Sequence, residues 1–218
     1  MKRGAWGWLL GLAAFVAYAV WLAPPDDPAF TRALVRGSLT GDFGAVDPAI
    51  AAVFTALGVV PVLASTFVLR DGARRKLPAW PFALAMFVVG AFALLPWLAL
   101  RHLGGPRAEA RPPGAVRRLL ARRGVGVGIV VALVGLAGWG LVAGSAAAYG
   151  RAFRTVSMVH VMTVDLVVCA ALLLVLAEEA RAGERGAAAH QESALARRLR
   201  FVPLLGTALW NALTPRAP

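Results

Sequence analysis

Long apolar blocks alternate along this chain with short charged ones. The apolar blocks cover residues 4–23, 48–69, 78–100, 124–145 and 157–178. Crossing a hydrocarbon core of roughly 30 Å takes about 20 helical residues, which each block supplies. The pattern predicts an all-α fold, a polytopic transmembrane helix bundle forming one integral membrane domain over 1–218. A further apolar stretch, 202–213, is short for a span and fits an interfacial or re-entrant segment equally well, so the count is five or six.

The polar punctuation sharpens these blocks. Pro24-Pro25 stops the first, and 24–47 reads as a polar connector with a short interfacial helix over 30–35. Asp47-Pro48 reads as N-cap and first helical position, since proline lacks a donor that this position leaves unused. Pro61 lies mid-span and is expected to kink its helix. Arg70 to Lys76 form a tight basic turn. Trp80 and Trp97 flank the third block as interfacial anchors would, which predicts a full crossing. Residues 115–123 read as a basic helical extension of the fourth block. Gly124, Gly128, Gly140 and Gly144 supply two small-xxx-small pairs there, and Gly7 and Gly11 another in the first block. Ser157 is expected to cap the fifth block, which ends at Glu178-Glu179, and 180–200 reads as a charged helix. The first block is either a retained helix or a signal peptide cleaved at Ala17-Tyr18-Ala19. The apolar run continues past that point and favours retention.

Composition agrees: 59% of the 218 residues are hydrophobic, against 45–50% in ordinary soluble domains. The net charge of +12 would suggest nucleic acid in a soluble protein. Here the cations lie between apolar blocks without a recognition motif, so nucleic acid is excluded and Arg-rich loops on anionic lipid headgroups are expected. The expected setting is the bilayer of a bacterial inner membrane. Cys169 is the single cysteine, so no internal disulfide forms.

Orientation sets two rules against each other. If every block spans, an N-terminus inside leaves nine Lys/Arg on the cytoplasmic side and fourteen on the other. The positive-inside rule then places 101–123 and 180–200 in the cytoplasm and the N-terminus outside, whereas Lys2 and Arg3 before the first helix argue the reverse. One miscounted block would remove the conflict.

One carboxylate, Asp165, lies well inside an apolar block, and an intramembrane ionisable residue is by default a candidate site. His160 and Thr163 accompany it as candidates. Helical phase puts Met158, Met162, Asp165 and Cys169 on one face and His160 well away from it. Three readings stay open. Asp165 pairs with an arginine or helix-end donor of a neighbouring span and fixes packing, or it forms a proton or ion site, or it binds a polar headgroup or pigment. Arg70, Arg101, Arg151 and Arg154 are possible partners. No metal site is expected, because the phases scatter the ligand types. Gly124 to Gly128 lacks the strand and Lys-Ser/Thr of a phosphate loop. No hydrolase or protease signature occurs, so no catalytic residue is assigned and no cofactor is identified.

The segments Asp47–Pro61, Leu77-Pro-Ala-Trp-Pro-Phe-Ala-Leu84 and Gly90-Ala-Phe-Ala-Leu-Leu-Pro-Trp97, with Met162-Thr-Val-Asp165 and Pro203-Leu-Leu-Gly206, resemble an uncharacterised family of polytopic membrane proteins common in cyanobacteria and plastids. The resemblance covers half the chain, chiefly 47–101. It implies architecture and no catalytic residue. The leading functional expectation is a non-enzymatic accessory or assembly subunit of a larger membrane complex, with other membrane subunits as partners. The alternatives are a small transporter or proton-coupled carrier centred on Asp165, and a membrane-embedded lipid or isoprenoid enzyme.

Overall fold

A computed structural model describes residues 3–103, 105–106, 114–184 and 204–213. Among these the fold is all-α, with ten helices. They are α1 (Arg3–Trp21), α2 (Pro28–Thr40), α3 (Pro48–Ala73), α4 (Trp80–Val89), α5 (Ala91–Leu100), α6 (Ala115–Leu120), α7 (Arg123–Ala143), α8 (Ala146–Thr155), α9 (Ser157–Glu184) and α10 (Leu205–Leu213). Four of them, α1, α3, α7 and α9, are long and apolar enough to cross a membrane. This is the architecture of a multi-pass membrane protein.

The third apolar block does not follow its predicted course. It is broken at Gly90 into α4 and α5, of 10 residues each. Each half is about 15 Å long, half a hydrocarbon core. The two halves fold back on one another as a helical hairpin, with the Phe82 and Trp97 rings facing at 5.5 Å between centroids. Both ends of the hairpin meet the same end of α3. The Lys76 N–H donates to the Gly105 carbonyl at 3.4 Å, and Arg75 bridges to Pro106. Gly72 of α3 lies against both Ala79 and Trp97. Trp80 and Trp97 therefore lie at one end of the bundle rather than at opposite faces, Trp80 exposed and Trp97 fully buried. Gly90 makes the reversal with φ +51° and ψ −124°, a left-handed conformation that a side chain disfavours.

The hairpin changes the parity of everything before it. α1 runs antiparallel to α5, with Gly11 against Leu95 and Phe15 stacked on Phe92 at 4.1 Å. The start of α1 thus lies at the same end as the end of α5. The expectation that the N-terminus and the segment after residue 101 lie on opposite sides is corrected accordingly. The α6 end holds the start of α1, the hairpin base, α6 and α10; the α8 end holds α2, α8 and the start of α9.

Several boundaries follow the local chemistry. Asp27 caps α2, which is longer than the helix expected there, by accepting from the Ala29 and Phe30 N–H groups. Asp47 accepts from Ala49 N–H at 2.9 Å and from Ser145 N–H at 3.1 Å, tying the start of α3 to the end of α7. α3 continues through the buried Pro61. The charged interval between the fourth and fifth apolar blocks forms α8, which Ser145 caps by accepting from Ala148 N–H. α6 is a separate helix, not a continuous extension of α7. α10 has 9 residues, about 14 Å, and docks rather than crosses. Its Trp210 stacks on Phe67, and its Asn211 side-chain Oδ1 accepts from the Thr66 hydroxyl at 3.1 Å. Beyond Glu184 the expected charged helix lies outside the described residues.

The main core joins α3, α5, α9 and α10 around Leu63, Leu94, Trp97 and Leu173. A second cluster around Leu34, Ile50, Val159 and Met162 closes the α8 end, where α2 and α8 supply Phe30, Tyr149 and Phe153.

Candidate functional site at the hairpin tip

Asp165 lies on α9 against the point where the hairpin turns. Its Oδ1 accepts the Ala91 N–H at 2.8 Å, the first backbone donor of α5. A helix N-terminus leaves such donors unmatched and carries partial positive charge, so a carboxylate is a suitable cap. The residue is 7% exposed. At Gly90 the approach is so close that a Cβ would overlap the carboxylate. Glycine is therefore required there twice, by the backbone conformation and by the carboxylate. Cys169, one turn further along α9, is buried in the same core.

The partners proposed for Asp165 from the sequence lie elsewhere. Arg101, at the hairpin base, donates to Glu179 at 2.7 Å and to Asp71 at 3.4 Å. Burial opposes its charge, but Glu179 and Asp71 outweigh that and raise its pKa above the ordinary arginine value. Asp71 also holds Arg75 at 2.8 Å, and Arg75 reaches His102 Nδ1 at 2.9 Å. Arg70 lies in the last turn of α3. Arg151 and Arg154 are exposed on α8. Among the described residues no ion pair links Asp165 to an arginine; it meets a helix end instead.

His160 and Thr163 face the α8 end and do not join Asp165. His160 Nδ1 donates to the Phe153 carbonyl at 2.8 Å, since a carbonyl can only accept. In the neutral ring Nε2 then accepts from the Tyr18 hydroxyl. The Phe153 and Tyr18 rings both lie roughly parallel to the imidazole, at 4.4 and 5.4 Å between centroids. Thr163 pairs with the Tyr149 hydroxyl at 2.5 Å. Burial raises the Tyr149 pKa, and the Thr163 bond opposes this in part. Both of the chain's tyrosines thus hold polar groups of α9 in place.

No family model, curated protein or solved structure matches the chain. The site must therefore be read from its own geometry. Among the described residues no group of three or more His, Cys, Asp or Glu is placed to hold a metal ion. Sequence reasoning singled out Asp165 but missed Gly90, Tyr18, Tyr149 and Asp71. Gly90 left a signal, as a lone glycine near the centre of an apolar block with prolines at both ends. The tyrosines and Asp71 left none, because their partners are distant along the chain.

Proposed function

We propose that this is a bacterial inner-membrane protein that serves as an accessory or assembly subunit of a larger membrane complex. The observation that carries the reading is the outer face of α7. Gly124, Gly128, Gly135 and Gly138 are exposed there, with nothing within contact of where a Cβ would sit. Val131 and Val142 complete the same stripe, at alternating steps of four and three residues. In lipid, small residues at such spacing let a second helix approach closely. Three polar groups inside the bundle meanwhile have packing partners: Asp165 caps α5, His160 binds Tyr18 and Phe153, and Arg101 joins α3 to α9. The resemblance of 47–101 to an uncharacterised family is consistent with this reading and adds no activity.

The reading includes an orientation. Arg70, Arg74, Arg75, Lys76, Arg101, Arg117, Arg118, Arg122, Arg123 and Arg181 belong to the α6 end, while Arg32, Arg36, Arg151 and Arg154 belong to the α8 end. The positive-inside rule puts the α6 end, and with it the start of α1, in the cytoplasm. α1 is retained, since Phe15 and Tyr18 pack it against Phe92 and His160. The test is crosslinking and native electrophoresis in the source membranes. A larger assembly is expected that dissociates in Gly128→Leu and Gly135→Leu variants; a monomer throughout refutes the reading.

One observation favours a second reading, an ion or proton carrier. A carboxylate and a helix break meet near the middle of the bundle, as in discontinuous-helix carriers. Proteoliposomes with Asp165→Asn would then lose ion flux or pH equilibration, and undiminished flux removes this reading.

A further inference from the structure

The hairpin tip gathers main-chain carbonyls that lack matching donors. α4 runs from the α6 end toward the middle of the bundle, so the carbonyls of its last turn point at the tip. There the Met86 carbonyl accepts the Gly90 N–H, and the Gly90 carbonyl accepts the Ala93 N–H. The Ala91 N–H goes to Asp165 Oδ1. Among the described residues the carbonyls of Phe87, Val88 and Val89 accept no backbone N–H. The side chains of these three residues are exposed, so the other helices leave this part of the tip open. α3 adds a further carbonyl. Pro61 has no N–H to give to Leu57, one turn before it. Leu57 packs on the cluster that holds Val159 and Met162, the part of α9 just before Asp165. Its carbonyl points along α3 toward the α6 end, the direction in which Asp165 lies. Asp165 Oδ2 turns to Gly90, and among the described residues it accepts no hydrogen bond. The tip lies about 15 Å from the hairpin base and Asp165 about 12 Å along α9. Both therefore stand near the middle of a hydrocarbon core roughly 30 Å thick. Acyl chains offer carbonyls no donor, so irregular backbone at that depth is tolerated only where it is buried in protein or lines a polar cavity.

We propose that the hairpin tip binds one monovalent alkali cation, held by Asp165 Oδ2 and the carbonyls of the last turn of α4, with the Leu57 carbonyl of α3 as a further ligand. Oxygen ligands suit a hard cation, and one carboxylate among neutral carbonyls balances a single positive charge. The negative end of the α4 dipole favours a cation, while Oδ1 of the same carboxylate matches the positive start of α5. Asp165 thus serves two ends at once, the first N–H of α5 through one oxygen and the cation through the other. The site needs the bundle to lie in a bilayer. It needs neither the accessory role nor ion flux, so each reading can fail alone.

The full-length protein, purified in mild detergent and choline chloride, is melted with and without sodium chloride at constant ionic strength. A sodium concentration about a hundredfold above Kd should raise Tm by about 5 °C or more. Asp165→Asn still caps α5, so it should melt with the parent in choline and lose the sodium increment. Pro61→Ala returns an N–H to the Leu57 carbonyl and should weaken sodium binding by about tenfold, the scale of a lost supporting contact at a metal site. Asp42→Asn, an exposed carboxylate at the α8 end, should keep the full increment. Equilibrium binding of radiolabelled sodium to the parent and to Pro61→Ala gives a readout even if Asp165→Asn fails to fold. Equal melting in choline and sodium overturns the site, as does a sodium effect that survives both D165N and P61A. A stabilisation that follows pH but not sodium would assign Asp165 to a proton alone and overturn the cation site.

Discussion

At the residue scale, Asp165 and Gly90 act as one unit. The carboxylate supplies the acceptor that the first turn of α5 lacks, and the missing side chain of Gly90 lets it come close. Removing the cap and blocking the approach should have different costs. Asp165→Asn keeps a carbonyl oxygen for the Ala91 N–H and should cost little. Asp165→Leu leaves that donor unmatched in an apolar core and should cost about 1–2 kcal/mol. Gly90→Ala forces both a strained φ and an overlap with the carboxylate, and should cost more, about 2–4 kcal/mol. Thermal unfolding of the three variants in detergent would rank them; a Gly90→Ala protein as stable as the parent would contradict the close packing. Asp165 was legible in the sequence because a lone carboxylate in an apolar block is conspicuous. Its partner was not, because a backbone N–H has no signature in the residue that bears it.

At the element scale, the third apolar block shows how length misleads. Residues 78–100 suffice to cross a bilayer, and tryptophans near both ends fit an interfacial belt. The same features describe a hairpin of two half-length helices, since its two ends also reach an interface. Both tryptophans then belong to the same interface, where Trp97 turns inward and fills the core at 0% exposure. The conflict between the two orientation rules was the indirect trace of this error. Cysteine labelling separates the alternatives, since the native Cys169 is buried. In intact cells an impermeant maleimide should modify Thr40→Cys and Ala146→Cys, but modify Arg74→Cys and Leu103→Cys only after permeabilisation. If positions 74 and 103 label from opposite sides, the block crosses the membrane.

At the scale of the whole molecule, the glycines of α7 divide into two sets with different work. Gly140 and Gly144 meet the start of α3, where an added Cβ would press on Ala52 and Ala49 respectively. Gly126 meets Ala212 of α10 in the same way. Gly124, Gly128, Gly135 and Gly138 meet nothing. The sequence pairs Gly124 with Gly128 and Gly140 with Gly144 as equivalent motifs, yet only the second pair closes the bundle. The crosslinking test therefore has an internal control. Gly144→Leu should unfold or markedly destabilise the protein, by about 3 kcal/mol or more, and Gly135→Leu should leave its melting temperature unchanged while weakening assembly. Equal destabilisation by both would place the outer stripe inside the fold.

The apolar blocks, their helical character and the singular position of Asp165 were determined by the sequence, because hydrophobic length and charge spacing are local properties of the chain. The capping of α2 and α3 was local as well, resting on Asp27 and Asp47 beside proline or helix-start donors. Which apolar block turns back, which glycines face a neighbour and which partner each buried polar group takes were decided only by tertiary structure. Each of these depends on atoms far apart in sequence: Ala91 with Asp165, Tyr18 with His160, Asp71 with Arg101. Such pairings follow from the packing of helices around the core, and no window along the chain contains both members.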